Sequence, residues 1–179
     1  IVSSFIIGVI LSLFTLVLAQ GYILIQGGEL ISFLVFVKIL GIILLSTFMS
    51  TSFAFFIVSF FNSQNGFATA STISGTLIGF LTGIYLPIGM LPNAVQYIIK
   101  FFPVSHSAVL LRQIMMGKMM DKAFEQIPVE AADEIKQMLG VVFKFNEYTM
   151  TPSVHLLILI VTGILFFGLA LLSMSRKKK

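Results

Sequence analysis

Long apolar runs alternate with short polar turns along this chain. Four runs hold at most one charged residue each, and they cover residues 1–25, 33–61, 66–86 and 154–175. A helix needs about 20 apolar residues to cross a hydrocarbon core of about 30 Å. The pattern therefore predicts an all-α integral membrane protein with four transmembrane helices. Lys38, the one charge within a span, is close enough to the start of its run to reach the lipid head groups.

The connections between the predicted spans differ in length. Polar turns at 26–29 and 62–65 predict that the first three spans form tight hairpins of adjacent antiparallel helices. The third connection runs from Pro87 to Pro152 and consists of two unlike pieces, so it needs a separate interpretation.

The first piece, 87–117, stays mostly apolar but contains three prolines: Pro87, Pro92 and Pro103. Pro92 suits the first turn of a helix that ends near Phe102, which is too short to span a membrane. Ser105 can cap a second short helix that runs to Gly117. We interpret the piece as a re-entrant or extracellular helical hairpin. The alternative is a third span that continues past Pro87 as a kinked helix.

The second piece, 118–150, carries six of the seven acidic residues and must therefore lie in water. Between Pro128 and Gly140, acidic residues come first and apolar residues recur at helical spacing, which predicts a short amphipathic helix. We expect this extracellular polar segment to lie on the membrane surface or to cap the hairpin. A ligand-binding role is the less favoured alternative.

Composition and charge agree with a membrane location. The chain is 58% hydrophobic and 10% charged, with a mean hydropathy of +1.06, far more apolar than soluble domains. The net charge of +4 owes much to the terminal run 176–179, which is typical of a membrane-flanking anchor and not of a nucleic-acid binder. The positive-inside rule then places the C-terminus in the cytoplasm, although the long connection outside also holds basic residues.

The third predicted span combines two kinds of side chain. Small residues recur every four positions, at Ser71, Gly75, Gly79 and Gly83. Such a stripe predicts close helix packing, either within the chain or with a second subunit. A mildly polar strip lies beside it, formed by Thr69, Thr72, Thr76 and Phe80. This strip is a candidate lining for a substrate path, and the alternative is that the threonines bond their own backbone carbonyls.

No residue pattern indicates catalysis. His106 and His155 are the only histidines, no cysteine is present, and neither a metal-site motif nor a phosphate-binding loop occurs. We therefore expect no enzyme activity, no metal and no cofactor in this chain, and a hydrogen-bonding, interfacial role for His106. The predicted spans also lack acidic residues, which disfavours coupling to an ion gradient.

Arg112 is the most conspicuous charge in the predicted hairpin. Its guanidinium either reaches the lipid head groups or forms an ion pair with an acid such as Glu125 or Glu147.

The stretch 80–117 resembles the signature region of type-2 ABC exporter permeases, which export drugs, antibiotics, lipids and polysaccharides from bacteria. In that family a span ends in glycine, followed by three proline-containing elements and a helix with an arginine. The matching residues here are Gly83, Leu86-Pro87, Leu91-Pro92, Phe102-Pro103 and Arg112.

The resemblance implies a six-span subunit in the bacterial cell membrane, of which these four spans would be the third to sixth. It implies a second copy of the permease, or a homologous one, and a separate ABC ATP-binding subunit that holds ATP and Mg²⁺. The span 66–86 would line the path within the surrounding lipid, and the hairpin with Arg112 would form its outer gate. The alternatives are a non-transporting membrane scaffold or accessory subunit and, less favoured, an intramembrane enzyme.

Overall fold

The computed structural model describes residues 1–61, 63–145 and 148–176, and it is almost entirely helical. The helices are α1 (Val2–Ile25), α2 (Phe33–Val58), α3 (Gln64–Leu81), α4 (Asn93–Phe101), α5 (Pro103–Ala123), α6 (Val129–Met138) and α7 (Pro152–Arg176). A 3₁₀ turn covers Ile88–Met90, and the short strands β1 (Lys144–Phe145) and β2 (Tyr148–Thr149) form an antiparallel ribbon. The predicted all-α class is confirmed apart from this ribbon. Asn62, Glu147 and residues 177–179, which entered the sequence predictions, lie outside the described residues.

Three described helices are long and apolar enough to cross a membrane: α1, α2 and α7. The pair α4 and α5 gives a fourth if the two helices count as one broken span, and their axes bend by 87°. Helix α3 is long enough at 18 residues but is not in this count, because it begins with Gln64 and Asn65 and is rich in threonine, serine and glycine, which lower its mean hydropathy. The first, second and last predicted spans therefore agree with the structure, while a span at 66–86 stays a prediction.

Helices α2, α5 and α7 form the centre of the bundle. Ile42 and Met49 of α2 meet Leu110 of α5 and Leu159 of α7 in one buried cluster. Between lipid tails the hydrophobic effect does not drive helices together, so close fit and dispersion contacts must hold this cluster. These contacts place the segments that emerge from the centre.

Helix α1 packs along α2, as the first predicted hairpin requires. Leu16 lies with Ile39 and Ile43 in a second buried cluster, and Gly8 lets the two backbones approach, because a Cβ there would be 2.7 Å from the Thr47 methyl group. The turn between these helices is the predicted glycine-rich one. The structure thereby confirms the first hairpin.

The second predicted hairpin is wrong in its packing. Helix α3 starts after a short connection but packs closely along neither α1 nor α2, and its larger contacts are with α4 and α5, near its C-terminal end. Ser63 begins the helix by accepting a hydrogen bond from the Gly66 amide at 3.1 Å. Two residues of the predicted turn, Gln64 and Asn65, consequently belong to the helix. A short connection brings the end of α2 close to the start of α3, but it does not determine whether the two helices pack along their length.

The hairpin region contains two helices that meet at Phe102. Helix α5 begins at Pro103, whose missing N–H suits the first turn, and continues to Ala123, beyond the predicted end at Gly117. The predicted cap at Ser105 is wrong, since Phe102 occupies the cap position and Ser105 lies inside the first turn. Its hydroxyl instead donates to the carbonyl of Leu81 at 2.8 Å and ties α5 to the end of α3.

The polar segment forms the predicted amphipathic helix, α6, between Pro128 and Gly140. Gly140 ends it with a φ of +67°, a conformation that side chains other than glycine rarely adopt. Two ion pairs link α6 to its neighbours within the segment: Lys136 with Asp121 of α5 at 3.1 Å, and Asp133 with Lys144 of β1 at 2.7 Å. Because both carboxylates are well exposed, each pair contributes little stability.

Candidate functional site

A cavity of about 770 Å³ separates α3 from α1 and α2. Its volume is within the range of about 300–1,000 Å³ that is usual for small-molecule sites. Eight lining residues carry hydroxyl groups: Ser4, Ser12, Ser46, Thr47, Ser50, Thr51, Ser71 and Ser74. The other lining residues are apolar or glycine, and in the described part of the chain no charged side chain lines the cavity.

The cavity lies at one end of the bundle, where α2 ends and α3 begins. Val58 and Phe67 line it near that end, and Ile78 of α3 and Val104 of α5 line it farther along. Behind the cavity, the close contact of Gly8 with Thr47 joins α1 to α2. The space is therefore a recess between α3 and the pair of α1 and α2.

The cavity hydroxyls are free to bind a ligand. Elsewhere on the spans, Thr15, Ser52 and Thr162 donate to the carbonyl four residues earlier. Within the described hydrogen bonds, no such bond engages the eight cavity hydroxyls, and the Oγ atom of Ser46 is buried without a partner. The seven other hydroxyls are therefore available to an occupant that can hydrogen-bond.

Helix α3 presents two different faces. Phe67, Ser71 and Ile78 face the cavity, while Thr69 and Thr76 lie about half a turn away, at the helical period of 3.6 residues. All four residues of the predicted path strip, Thr69, Thr72, Thr76 and Phe80, are exposed on that outer face. Thr72 and Thr76 donate to the carbonyls of Ala68 and Thr72, as the alternative interpretation proposed. The path role of this strip stays a prediction.

The stripe of small residues divides into three environments. Ser71 and Gly75 line the cavity, and a Cβ on Gly75 would touch nothing within 4 Å. Gly79 lies under the ring of Tyr85, and Gly83 lies beyond the helix with a φ of +71°. No described helix of this chain covers Gly75, so helix packing at this stripe stays a prediction.

Arg112 joins three segments at the hairpin. Its Nη2 donates to the carbonyls of Thr82 at 2.8 Å and Gly83 at 3.1 Å, and its Nη1 donates to that of Gly140 at 3.4 Å. Gly83 and Gly140 both have positive φ and leave room for the guanidinium beside Ile88. We call Gly83, Ile88, Arg112 and Gly140 the joint.

The joint corrects both sequence interpretations of Arg112. The guanidinium is half-buried and turned to backbone carbonyls, so it neither extends to the head groups nor pairs with Glu125 in the described structure. Glu147, the other proposed partner, lies outside the described residues. The sequence analysis did not predict the joint. Its only signal in the sequence was the pair of glycines that follow α3 and α6.

The three prolines stand at the borders of rigid pieces. Pro87 directly precedes the 3₁₀ turn, Pro92 precedes α4, and Pro103 begins α5. Since proline fixes φ near −65°, these borders have defined directions. The geometry suits a hairpin whose pieces move together. A gating role for the prolines and Arg112 stays a prediction.

The two histidines meet in the core. His106 of α5 and His155 of α7 approach with their Nδ1 atoms 2.7 Å apart, and both side chains are 0% exposed. The hydrogen-bonding role predicted for His106 is confirmed, but its position is buried and not interfacial. Across the described residues, no group of three or more metal-ligating side chains occurs.

The apolar helices define a multi-pass membrane protein, and a ligand-sized cavity lies among them. The chain belongs to the ABC-2 family of transporters. The model of that family, described as ABC-2 family transporter protein, matches residues 1–172. No curated protein and no solved structure matches the chain. Family membership makes the chain the membrane component of an ABC transporter and implies a separate ABC ATP-binding partner.

Proposed function

We propose that this chain is the permease subunit of an ATP-driven exporter that moves an amphipathic substrate out of a bacterial cell. The observation that carries the proposal is the family match over residues 1–172, together with a ligand-sized recess in the membrane-embedded part. ATP and Mg²⁺ bind to the partner subunit, and closure of that partner drives the permease between inward and outward access.

The lining of the cavity indicates the chemistry of the substrate. Without a charged lining residue, the cavity would bind an ionised group at a high desolvation cost. Apolar residues such as Phe53 and Phe67 suit a hydrocarbon or aromatic body, and the serine and threonine hydroxyls suit ester, amide or hydroxyl groups. The substrate is therefore an uncharged amphipathic molecule, as some drugs, antibiotics and lipids are.

Pairing of two permeases places the outer face of α3 at a shared path. The strip of Thr69, Thr72, Thr76 and Phe80 is exposed in the single chain, as a surface that faces a second copy or a homologous permease would be. With the basic C-terminal end of α7 in the cytoplasm, the cavity opens in the cytoplasmic half of the membrane. Substrate then enters there, and the hairpin of α4 and α5 with the joint forms the outer gate.

Co-purification tests whether the chain works with a partner ATPase. We expect tagged permease, extracted in mild detergent from its native host, to retain an ATP-binding subunit in equal amount. The complex should hydrolyse ATP, and a tagged unrelated membrane protein from the same host should not retain that subunit. A permease that purifies without any ATPase, with its membrane function intact, would favour the scaffold or accessory role.

A bulky side chain at Gly75 is expected to fill the cavity. Gly75→Leu should leave folding unchanged, because its Cβ has open space, but should weaken binding of an uncharged amphipathic dye to the complex by about tenfold. Gly41→Leu is the matched control, since Gly41 also has open space but does not line the cavity. Dye titration by fluorescence measures both. Equal dye affinity in the two variants would exclude the cavity as the binding site.

A further inference from the structure

The histidine pair joins the hairpin helix to the last span. His106 lies near the start of α5 and His155 near the start of α7, so their contact connects the bend at Phe102 to the bundle centre. The two rings lie 5.0 Å apart by their centroids, and neither side chain is exposed. The Nε2 atoms of both rings are buried and have no partner in the described residues. The bond between the Nδ1 atoms is therefore the one side-chain hydrogen bond of each ring in the described residues, and the backbone of Lys100 also lies close to the His106 ring.

The geometry of this contact requires one proton between the two Nδ1 atoms. An Nδ1···Nδ1 distance of 2.7 Å is a hydrogen bond, which requires a proton on one Nδ1 and a lone pair on the other. A proton added at Nε2 leaves this bond in place. When both rings are fully protonated, each Nδ1 carries a proton, so two cations turn N–H groups toward each other and the contact breaks.

Among the described residues, no acidic side chain forms an ion pair with either histidine. The ring of Phe143 contacts both imidazoles, with centroids at 5.8 Å from each. Lys100, on the preceding helix, turns its Nζ to the carbonyl of Lys144 at 2.7 Å. Arg112, farther along α5, is bound to the carbonyls of the joint. His155 is the only ionisable residue of α7 before Arg176, so two cations at the pair would meet repulsion without compensation.

We propose that His106 and His155 form a proton-dependent latch that holds the hairpin closed while one Nδ1 proton bridges them and releases it when both Nδ1 atoms are protonated. The latch itself does not depend on the proposed function. Only its effect on transport rests on the proposed gating by the hairpin. The residues are positioning residues, because they act through α5 and need not touch the substrate.

The sign of the pH effect follows from the proton count. Released imidazoles in water take up protons below a pKa of about 6.5. The latched pair excludes the form in which both imidazoles are cations. The released state can therefore bind more protons, and acid favours release. Above neutral pH the latch stays closed. For each extra proton bound, the ratio of released to latched molecules changes by up to about tenfold per pH unit.

The proton position can be measured directly, because the chain has only two histidines. In the wild-type protein labelled with ¹⁵N-histidine, we expect one ring protonated at Nδ1 and the other at Nε2, with scalar coupling across the Nδ1–H···Nδ1 bond. Two rings that both carry their proton at Nε2 would overturn the latch. This result does not depend on transport, so it separates failure of the latch from failure of the proposed function.

Release can be measured by the distance between two spin labels. The chain has no cysteine, so labels can be placed on Cys introduced at the exposed positions Met119 of α5 and Ser153 of α7. Below about pH 6.5, a second and longer distance should appear in the otherwise unchanged protein. In the double variant H106N/H155N, where amides hydrogen-bond without titrating, this longer distance should be absent. The same acid response in both proteins, or none in either, would overturn the proposal.

Discussion

Replacement of Arg112 by methionine is expected to lower the free energy of unfolding by about 3 kcal/mol or more. The guanidinium is the donor for the carbonyls of Thr82, Gly83 and Gly140, and each buried carbonyl left without a donor costs about 1–3 kcal/mol. Methionine has a similar length but offers no N–H group. The variant should therefore lose helix at a lower temperature than wild type, as measured by circular dichroism in detergent.

The same variant should also release the polar segment. Arg112 holds Gly140 at the end of α6, so its loss should make Lys136 and Lys144 more accessible to trypsin. Lys118→Met is the matched control, because it removes one positive charge from an exposed position on the same helix. Arg112→Lys should fall between the two, since a single ammonium cannot reach three carbonyls in fork geometry. Equal stability and cleavage of the methionine variant and its control would show that the joint contributes nothing.

The hydropathy pattern predicted the helices that are apolar throughout. α1, α2 and α7 follow from their length alone, since about 20 apolar residues have few alternatives in a membrane. Proline predicted the start of α4 and the break at Phe102, and Pro128 and Gly140 predicted the borders of α6, because both residue types restrict the backbone locally; Gly117, however, does not end α5. Apolar runs, prolines and glycines act on neighbouring residues, so their effects can be predicted from the local sequence.

Features that depend on distant residues could not be predicted from the pattern. Ser105 has the composition of a helix cap, yet Pro103 starts the helix first and the hydroxyl binds Leu81. Likewise, a short connection after α2 gave no information on how far α3 diverges, and the cavity exists because of that divergence. The threonine strip and the cavity-lining Ser71 and Ser74 lie on opposite faces of α3, and only the packing of the other helices distinguishes the two faces.

The histidine pair shows the same limit at the level of chemistry. Each histidine taken alone predicts a satisfied polar residue in a helix. The 2.7 Å contact between residues of α5 and α7 depends on the crossing of two helices and on the bend at Phe102. Arg112 is a similar case, because its partners are backbone carbonyls that no sequence pattern marks.

Transport by the reconstituted complex is expected to depend entirely on hydrolysis by the partner. The chain has no phosphate-binding loop, and its spans carry no acidic residue that could couple an ion gradient. Replacement of the phosphate-binding lysine in the partner should therefore reduce transport to background, while assembly of the complex remains. The effect exceeds that of any single change in the permease, because it removes the energy source.

The measurement that tests this account most directly is uptake of an uncharged amphipathic dye into inside-out proteoliposomes that contain the permease with its ATPase partner. We expect uptake with external Mg²⁺ and ATP, none with a non-hydrolysable analogue, and none with the lysine variant of the partner. A proton or sodium gradient should not replace ATP. Dye uptake that continues without the ATPase, driven by either gradient alone, would contradict the exporter assignment and indicate a secondary transporter.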